Sequence, residues 1–549
     1  MIARQGQTVD SRRDGIAVTL ETFDYIVVGA GSAGCVVAAR LSESGRHSVL
    51  VLEAGGRDSN PWIHIPMGYG KTYADEAVNW CFSMEPSPEL NGRRLYSPCG
   101  KVLGGSSSIN GLVYLRGHRE DFESWREDGN EGWGYDDVLP FYRKSEDQQH
   151  GENAFHAVGG PLSVSDQTDV HPICGAFVDS AVATGFKRNP DFNGACLEGV
   201  GAFQMTCRNG RRISSAVAFL RDAEQRPNVS LRTRAEVEQL AIESGRVTGV
   251  TYVRGNTSFA AKARRAVILC AGALNSPAIL QRSGIGRAEW LQEVGIKVTH
   301  ELSGVGANLH DHLQARLVIR NRRHRTLNTV MRNPLRKMLM GVQYALFRRG
   351  PLTCAGGQTG GIVRSHPELD RPDTMFFVMP FSSVDYRQGL DPFSGFTIAS
   401  CLQRPQSRGT LRVRSPNPKE APLIQPNFLD QESDRRAMVN GLRLARRIVA
   451  TDPLRQQIEG EERPGPAVNS DDELLSYIRA TASSVYHPAG TCKMGCGPDA
   501  VVDSKLRVRG VDGLVVADAS IMPTIVSTSP NATAIMIGER AAAFLLENP

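Results

Sequence analysis

One imidazole in this 549-residue chain sits where it could do chemistry. His487 lies in the run "SSVYHPAGTCKMG" (483–495), between a tyrosine and a proline. Histidine ionises near neutrality, which suits it to take a proton from a substrate. A core histidine with its hydrogen bonds satisfied would read the same way, so the residues placed beside it must decide. A second group of residues is more specific. Gly29, Gly31 and Gly34 form G-x-G-x-x-G, and the acid Glu53 follows nineteen residues after the last glycine. In that pattern the first glycine permits a tight turn, the second lets backbone approach a pyrophosphate, and the third lets helix and strand pack closely. The acid can accept the hydroxyls of an adenosine ribose.

The elements that must position these groups are legible around them. "YIVV" from Tyr25 is a β-branched apolar run that suits a buried parallel strand. "SAGCVVAARLSES" then reads as a helix and "SVLVLEAG" as a second strand, with Glu53 at its end. The helix N-terminus offers free N–H groups and positive dipole to phosphates. This βαβ unit predicts a dinucleotide, either NAD or FAD. Two later strands favour FAD: "RAVILCAGALNSP" (265–277) and "GLVVADASIMP" (513–523), the latter ending at Asp518. A carboxylate delivered there can hold ribityl hydroxyls, and it can also cap a following turn.

Nucleotide-binding segments therefore stand at the start, middle and end of the chain. The expected organisation is a polar tail (1–22), an FAD-binding domain assembled from 23–157, 226–311 and 481–549, and a substrate-binding domain from 158–225 and 312–480. The predicted fold class is α/β with an α+β substrate part.

Bulk composition narrows the function classes. Apolar content of 41% and charged content of 22% are ordinary for a globular enzyme. The net charge of +5 is small for this length. The basic clusters "RNGRR" (208–212) and "RNRRHR" (320–325) read as solvated surface, and no nucleic-acid reading motif accompanies them. Eleven scattered cysteines and the absence of a secretory signal predict reduced thiols and a cytoplasmic setting. No metal site is expected. Cys492 and Cys496 lack a second ligand pair, and "HDH" (310–312) places two histidines on one side of an extended segment without further ligands. No run reaches the roughly eighteen apolar residues of a membrane span. Peripheral membrane contact stays open.

"CGKVLGGSSSINGLVYLRGHREDFESW" (99–125) and "GALNSPAILQRSGIG" (272–286) resemble signature segments of the glucose–methanol–choline (GMC) family of flavin oxidoreductases. "GVGANLHDH" (304–312), "YHPAGTCKMG" (486–495) and "PNATAIMIGERAA" (530–542) look like further family segments, in the family's order. The similarity runs from about Asp24 through nearly all of the chain and is strongest to the choline and alcohol dehydrogenase-like bacterial branch. It implies a Rossmann-like FAD domain and a substrate domain built on an antiparallel sheet with helices. It further implies a cofactor site of Gly29, Gly31, Ser32, Ala33, Gly34, Glu53, Ala54, Trp80, Leu103, Ser106, Asn110, Gly111, Leu112, Val113, Val237, Ala271, Gly272, Asp518, Ala519, Asn531 and Thr533. Some relatives tether FAD through a histidine just before the loop asparagine. Here that position is Ile109, which has no nucleophile, so the FAD is expected to be noncovalent.

By the same resemblance His487 and Asn531 form the His–Asn pair on the substrate side of the flavin. Asparagine cannot act as a base near neutral pH, so the proton falls to His487 and the stabilisation of the oxygen to Asn531. Asn531 also opens an expected helix with Ser529 as N-cap and Pro530 in the first turn, and a purely structural role competes with catalysis there. The predicted reaction oxidises a small alcohol to the aldehyde, with hydride passing to flavin N5. O2 or a quinone- or dye-type carrier then takes the electrons. Gln358 in "TCAGGQTGGIVR" (353–364), with no acid beside it, favours a neutral primary alcohol over choline. The family also contains non-redox lyases and a light-driven fatty-acid decarboxylase, the alternative activities for this chain.

Overall fold

A computed structural model describes residues 21–547 except residue 386. Residues 1–20 of the expected polar tail lie outside the described residues. In chain order the main strands are β1 (Glu21–Val28), β2 (Val49–Glu53), β3 (Gly199–Ala202), β4 (Val229–Thr233), β5 (Ala235–Glu243), β6 (Arg246–Arg254) and β7 (Thr257–Leu269). They continue with β8 (Leu313–Asn321), β9 (Thr359–Val363), β10 (Thr374–Met379), β11 (Gly395–Leu402), β12 (Ile458–Arg463), β13 (Ser483–Ser484) and β14 (Leu514–Val516). The helices that matter to the site are α1 (Ser32–Ser42), α2 (Pro172–Ala183), α3 (Gly272–Arg282), α4 (Pro334–Phe347), α5 (Glu432–Val449) and α6 (Asp471–Thr481), with α7 (Asn531–Glu547) last.

Two large sheets carry the fold. The first has the order β4-β2-β1-β7-β6-β5, with β14 also on β7. Its β4, β2, β1, β7 and β14 run parallel, and β6 and β5 return antiparallel. β1 from Tyr25 onward and β2 are buried on both faces, which is why "YIVV" and "VLVLE" are continuous apolar runs rather than alternating ones. The helix α1 crosses from β1 to β2 and packs beside α7, so the βαβ unit takes the Rossmann-like form.

The second sheet, β12-β8-β11-β10-β9-β3 with β13 on β8, is antiparallel throughout. Its core contains Phe376, Val378, Phe396 and Ile398. The amphipathic α5 covers it with Leu442, Ala445 and Ile448 inward, and α2 and α6 join the same core through Phe177 and Ile478. This is the mixed α/β architecture expected from the sequence. All eleven cysteines are free thiols.

Candidate active site

A cavity of about 670 Å³ opens where the two sheets meet. The carboxyl ends of β1 and β2, through Val28, Leu52 and Glu53, form one side with Cys270 and Asp518. Gln314 of β8 and Phe377 and Met379 of β10 form the other. Ligands of parallel α/β sheets bind at such strand ends.

The glycines of the first turn are held by contact. Gly29 has φ +96, and a Cβ there would lie 2.6 Å from the Cys270 carbonyl oxygen. A Cβ on Gly34 would lie 1.9 Å from the Gly29 oxygen, so this glycine lets α1 pack on its own strand. Gly31, at the N-cap of α1, has no side-chain cap, and Ser32 and Ala33 present that helix end to the cavity. The loop "GGSSSIN" folds onto this turn glycine against glycine: Gly105 has φ +53, and its Cβ would meet Gly31 Cα at 2.7 Å.

The walls fit a dinucleotide. At Gly111 and Gly272 an added Cβ meets nothing within 4 Å, so bare backbone faces open space on the cavity wall. Glu53 accepts from the Ala30 and Gly55 amides at 2.8 Å each, and burial lifts its carboxyl to about 7. Asp518 accepts from the Gly272 amide (2.9 Å), the Ser276 hydroxyl (2.6 Å) and the Ser520 amide (2.8 Å); burial nonetheless raises its pKa. It caps the turn at 519–521 and lines the cavity as well. Ala54, Trp80, Ser106, Asn110, Leu112, Val113, Val237, Ala271 and Ala519 also reach the wall.

Three of the expected cofactor residues do not reach it. Gly34 stands behind the turn, as its packing role requires. Leu103 is buried in the core of the first sheet. Thr533 faces Tyr142, with the two hydroxyls 2.7 Å apart.

At the other end, His487 and Asn531 line the same cavity. The His487 amide donates to Asp311 Oδ1 at 2.8 Å, and the Ser484 hydroxyl donates to the other Asp311 oxygen. Burial pushes the Asp311 carboxyl up to about 7. The preceding Tyr486 has φ +67, a left-handed conformation that a bulky residue rarely adopts. Its hydroxyl meets that of Tyr73.

The ring of His487 has a partner that fixes its protons. His312 Nε2 lies 2.9 Å from the Gln403 carbonyl oxygen, which can only accept, so His312 carries its proton on Nε2. Its Nδ1 is then an acceptor, 3.0 Å from His487 Nδ1. His487 therefore bears its proton on Nδ1, and its Nε2 keeps the lone pair. Burial holds His312 near 4 and His487 well below the usual histidine value, so both rings are neutral near pH 7. On Asn531, Ser32 Oγ donates to Oδ1 at 2.7 Å, which leaves the amide nitrogen as the free donor.

Residues 23–314 and 405–538 match the N-terminal and C-terminal parts of the GMC oxidoreductase family. The chain belongs to that family. It is 41% identical to an alcohol dehydrogenase [acceptor] of Pseudomonas putida, over 95% of this chain and 96% of that protein. It is 40% identical to the mitochondrial choline dehydrogenase of Homo sapiens, over 96% and 90% respectively. Among solved structures, pyridoxine 4-oxidase from Mesorbium loti superposes with a TM-score of 0.86 at 30% identity, covering 95% of this chain and 98% of that one. GMC enzymes are FAD-dependent oxidoreductases, and the open glycine cradle described above suits that cofactor.

Two features of this GMC oxidoreductase differ from the sequence reading and one adds to it. His312 and Asp311 of "HDH" serve His487, a role the segment itself did not indicate. Arg212 of "RNGRR" is not solvated surface. It is 1% exposed and donates to Asn110 Oδ1 (2.6 Å), the Asn110 carbonyl (2.7 Å), the Ser107 carbonyl (3.1 Å) and the Ile63 carbonyl (2.8 Å). The loop's own carbonyls need donors, and one guanidinium supplies them. Gln358 does not reach the cavity, because its Oε1 accepts from the His171 amide at 2.7 Å and Gly356 and Gly357 form the wall instead.

Proposed function

We propose that this GMC oxidoreductase converts a neutral primary alcohol to its aldehyde, with His487 as general base and a noncovalently held FAD. The observation that carries the reading is the carbonyl–His312–His487 chain, which leaves an unprotonated Nε2 on a neutral, half-buried ring at the cavity. Glu53, Asp518, the N-terminus of α1 and the 104–113 loop would hold the cofactor. FAD, when bound, supplies the acceptor for the hydride leaving the alcohol carbon.

The protein's part is the proton and the oxygen. His487 Nε2 takes the hydroxyl proton, and its Nδ1–H continues to donate to His312 as positive charge develops. The Asn531 amide nitrogen donates to the substrate oxygen as negative charge grows there. Phe377, Met379 and Val113 supply apolar wall that excludes water. A noncovalent cofactor is supported by Ile109 and by the state of Cys99, the cysteine on the wall beside the 104–113 loop: burial lifts its thiol to about 11, which keeps it a poor nucleophile.

Tyr69, Tyr73, Tyr486 and Phe377 on the wall favour choline as a second reading, since aromatic faces attract quaternary ammonium. The deciding experiment is anaerobic bleaching of the bound flavin by a panel of primary alcohols that includes choline. Bleaching by neutral alcohols, slowed about 10²–10⁴-fold in His487→Ala with FAD retained, is the expected result. No bleaching by any alcohol would point to a lyase or a light-driven decarboxylase. Repeating the assay with O2 and with a quinone or dye identifies the electron acceptor. Acid precipitation of the same samples should leave the yellow colour in the supernatant; colour in the pellet would refute noncovalent binding.

A further inference from the structure

The helix α4 is the least buried helix of its length, and its exposed side chains are apolar. Leu335, Met338, Leu339, Val342 and Leu346 are all exposed, Leu346 at 69%. At 100° per residue these positions fall within about 100° of arc, a single stripe along the helix. Only Met340 and Tyr344, on the opposite side, are buried against the body. Phe347, 65% exposed, closes the helix. A stripe of this extent facing water is unusual for a folded surface and marks a contact with something apolar.

The charge around the stripe identifies that partner's chemistry. Arg332, Arg336, Arg348 and Arg349 border it at its ends and edge, and no Asp or Glu occurs anywhere between Leu313 and Pro367. An apolar face bordered only by cations complements an interface with hydrocarbon beneath an anionic surface. The helix is also joined to the active-site cavity. The Tyr344 hydroxyl donates to the Gly210 carbonyl at 2.9 Å, tying α4 to the hairpin that carries Arg212. That arginine binds the Ile63 carbonyl at 2.8 Å, beside the exposed Trp62. Beyond α4 the chain runs through Pro351–Thr353 straight to Gly356 and Gly357 of the cavity wall.

We infer that α4 is an interfacial anchor that docks the enzyme on the surface of a bilayer containing anionic phospholipid, with the glycine wall of the cavity next to the docked face. The partner is the lipid surface itself. No helix among the described residues is long and apolar enough to cross a membrane, so the contact is peripheral.

The test is sedimentation of the FAD-loaded full chain with phosphatidylcholine vesicles, with and without phosphatidylglycerol. Wild type should pellet with the anionic vesicles, and raising salt from about 0.1 to 1 M should weaken the binding. Each of Arg336→Gln and Arg349→Gln should weaken partition about fivefold. The triple variant Leu339→Gln/Val342→Gln/Leu346→Gln should return the protein to the supernatant while turnover of a water-soluble alcohol with a soluble dye stays at the wild-type value. Wild type that ignores anionic vesicles at low salt overturns the inference, as does a triple variant that binds like wild type. A wild-type dimer that the triple variant converts to monomer, with neither binding vesicles, would show that a second copy covers the stripe and would equally overturn it.

Discussion

At the residue scale the site turns on which nitrogen of His487 is bare. The Gln403 carbonyl dictates the proton of His312, and His312 dictates that of His487. A base is competent only when unprotonated. Because burial depresses its pKa, His487 stays neutral to lower pH than a free histidine, and activity is lost only as pH falls through the depressed value. The pH profile of kcat/KM should therefore be level from about pH 8 down to the ordinary histidine value near 6.5 and bend below it. Asp311, lifted to about 7 and bonded to the His487 amide, can add a limb of its own, so an acid limb centred near 6.5 or above that persists in Asp311→Asn would contradict a neutral base at His487. His312→Ala should cost roughly tenfold or more, part of the 10²–10⁴ that base catalysis supplies, with FAD retained. His312→Gln carries both a donor for Gln403 and an acceptor for His487, so it should recover part of the loss. Equal rates in the two variants would make His312 mere packing. Glu53 lines the cavity where its spacing predicts, whereas the segment around His487 reads equally as that of a core histidine and only the family resemblance singled it out. His312 and Arg212 were not readable, because their partners lie 175 and 102 residues away and no local pattern records such a contact.

At the element scale, local periodicity was a good guide. The β-branched run at Tyr25, the small-residue helix after it and the amphipathic helix from Glu432 all form where their patterns place them. Ends were less legible. Pro530, rather than Ser529, adjoins α7, and its carbonyl accepts from the Ala534 amide at 2.8 Å. What the sequence could not show was how closely α1 sits on β1, a matter of tenths of an ångström at Gly34. Gly34→Ala drives a Cβ to 1.9 Å from the Gly29 oxygen, so the helix must move or the turn must open. It should lower stability by about 1–3 kcal/mol in urea denaturation and reduce the FAD retained on purification. Gly70→Ala, whose Cβ would meet nothing within 4 Å, is the control and should change neither. If both variants behave alike, the close approach at Gly34 carries no weight.

At the scale of the molecule, the cavity belongs to neither sheet alone. The first βαβ unit could be anticipated from the glycine pattern, but the full strand order and the meeting of β8 and β10 with the parallel strand ends could not, since they follow from the packing of two cores. The helix α7 is the tie that closes the nucleotide side. Ser32 donates to Asn531 at 2.7 Å, and a Cβ on Gly538 would lie 2.7 Å from the Ala33 oxygen. Arg40 pairs at 2.8 Å with Glu539, whose side chain is fully buried. A chain stopped before Asn531 should therefore lose FAD and compactness together, measured by flavin absorbance and elution volume. Stoichiometric FAD on the truncated chain would show that α7 contributes only to chemistry.

That tie also sets a clock. Ser32 and its partner Asn531 are 499 residues apart in the chain. At the usual pace of translation, about 5–20 residues per second, the glycine turn leaves the ribosome some 25–100 s before the helix that completes it. During that interval the first βαβ unit is a half-built cradle, with the α1 face that will pack on α7 uncovered. Cofactor capture on a nascent chain is thus a late event, and a cell short of flavin meets a nearly finished polypeptide rather than an early intermediate.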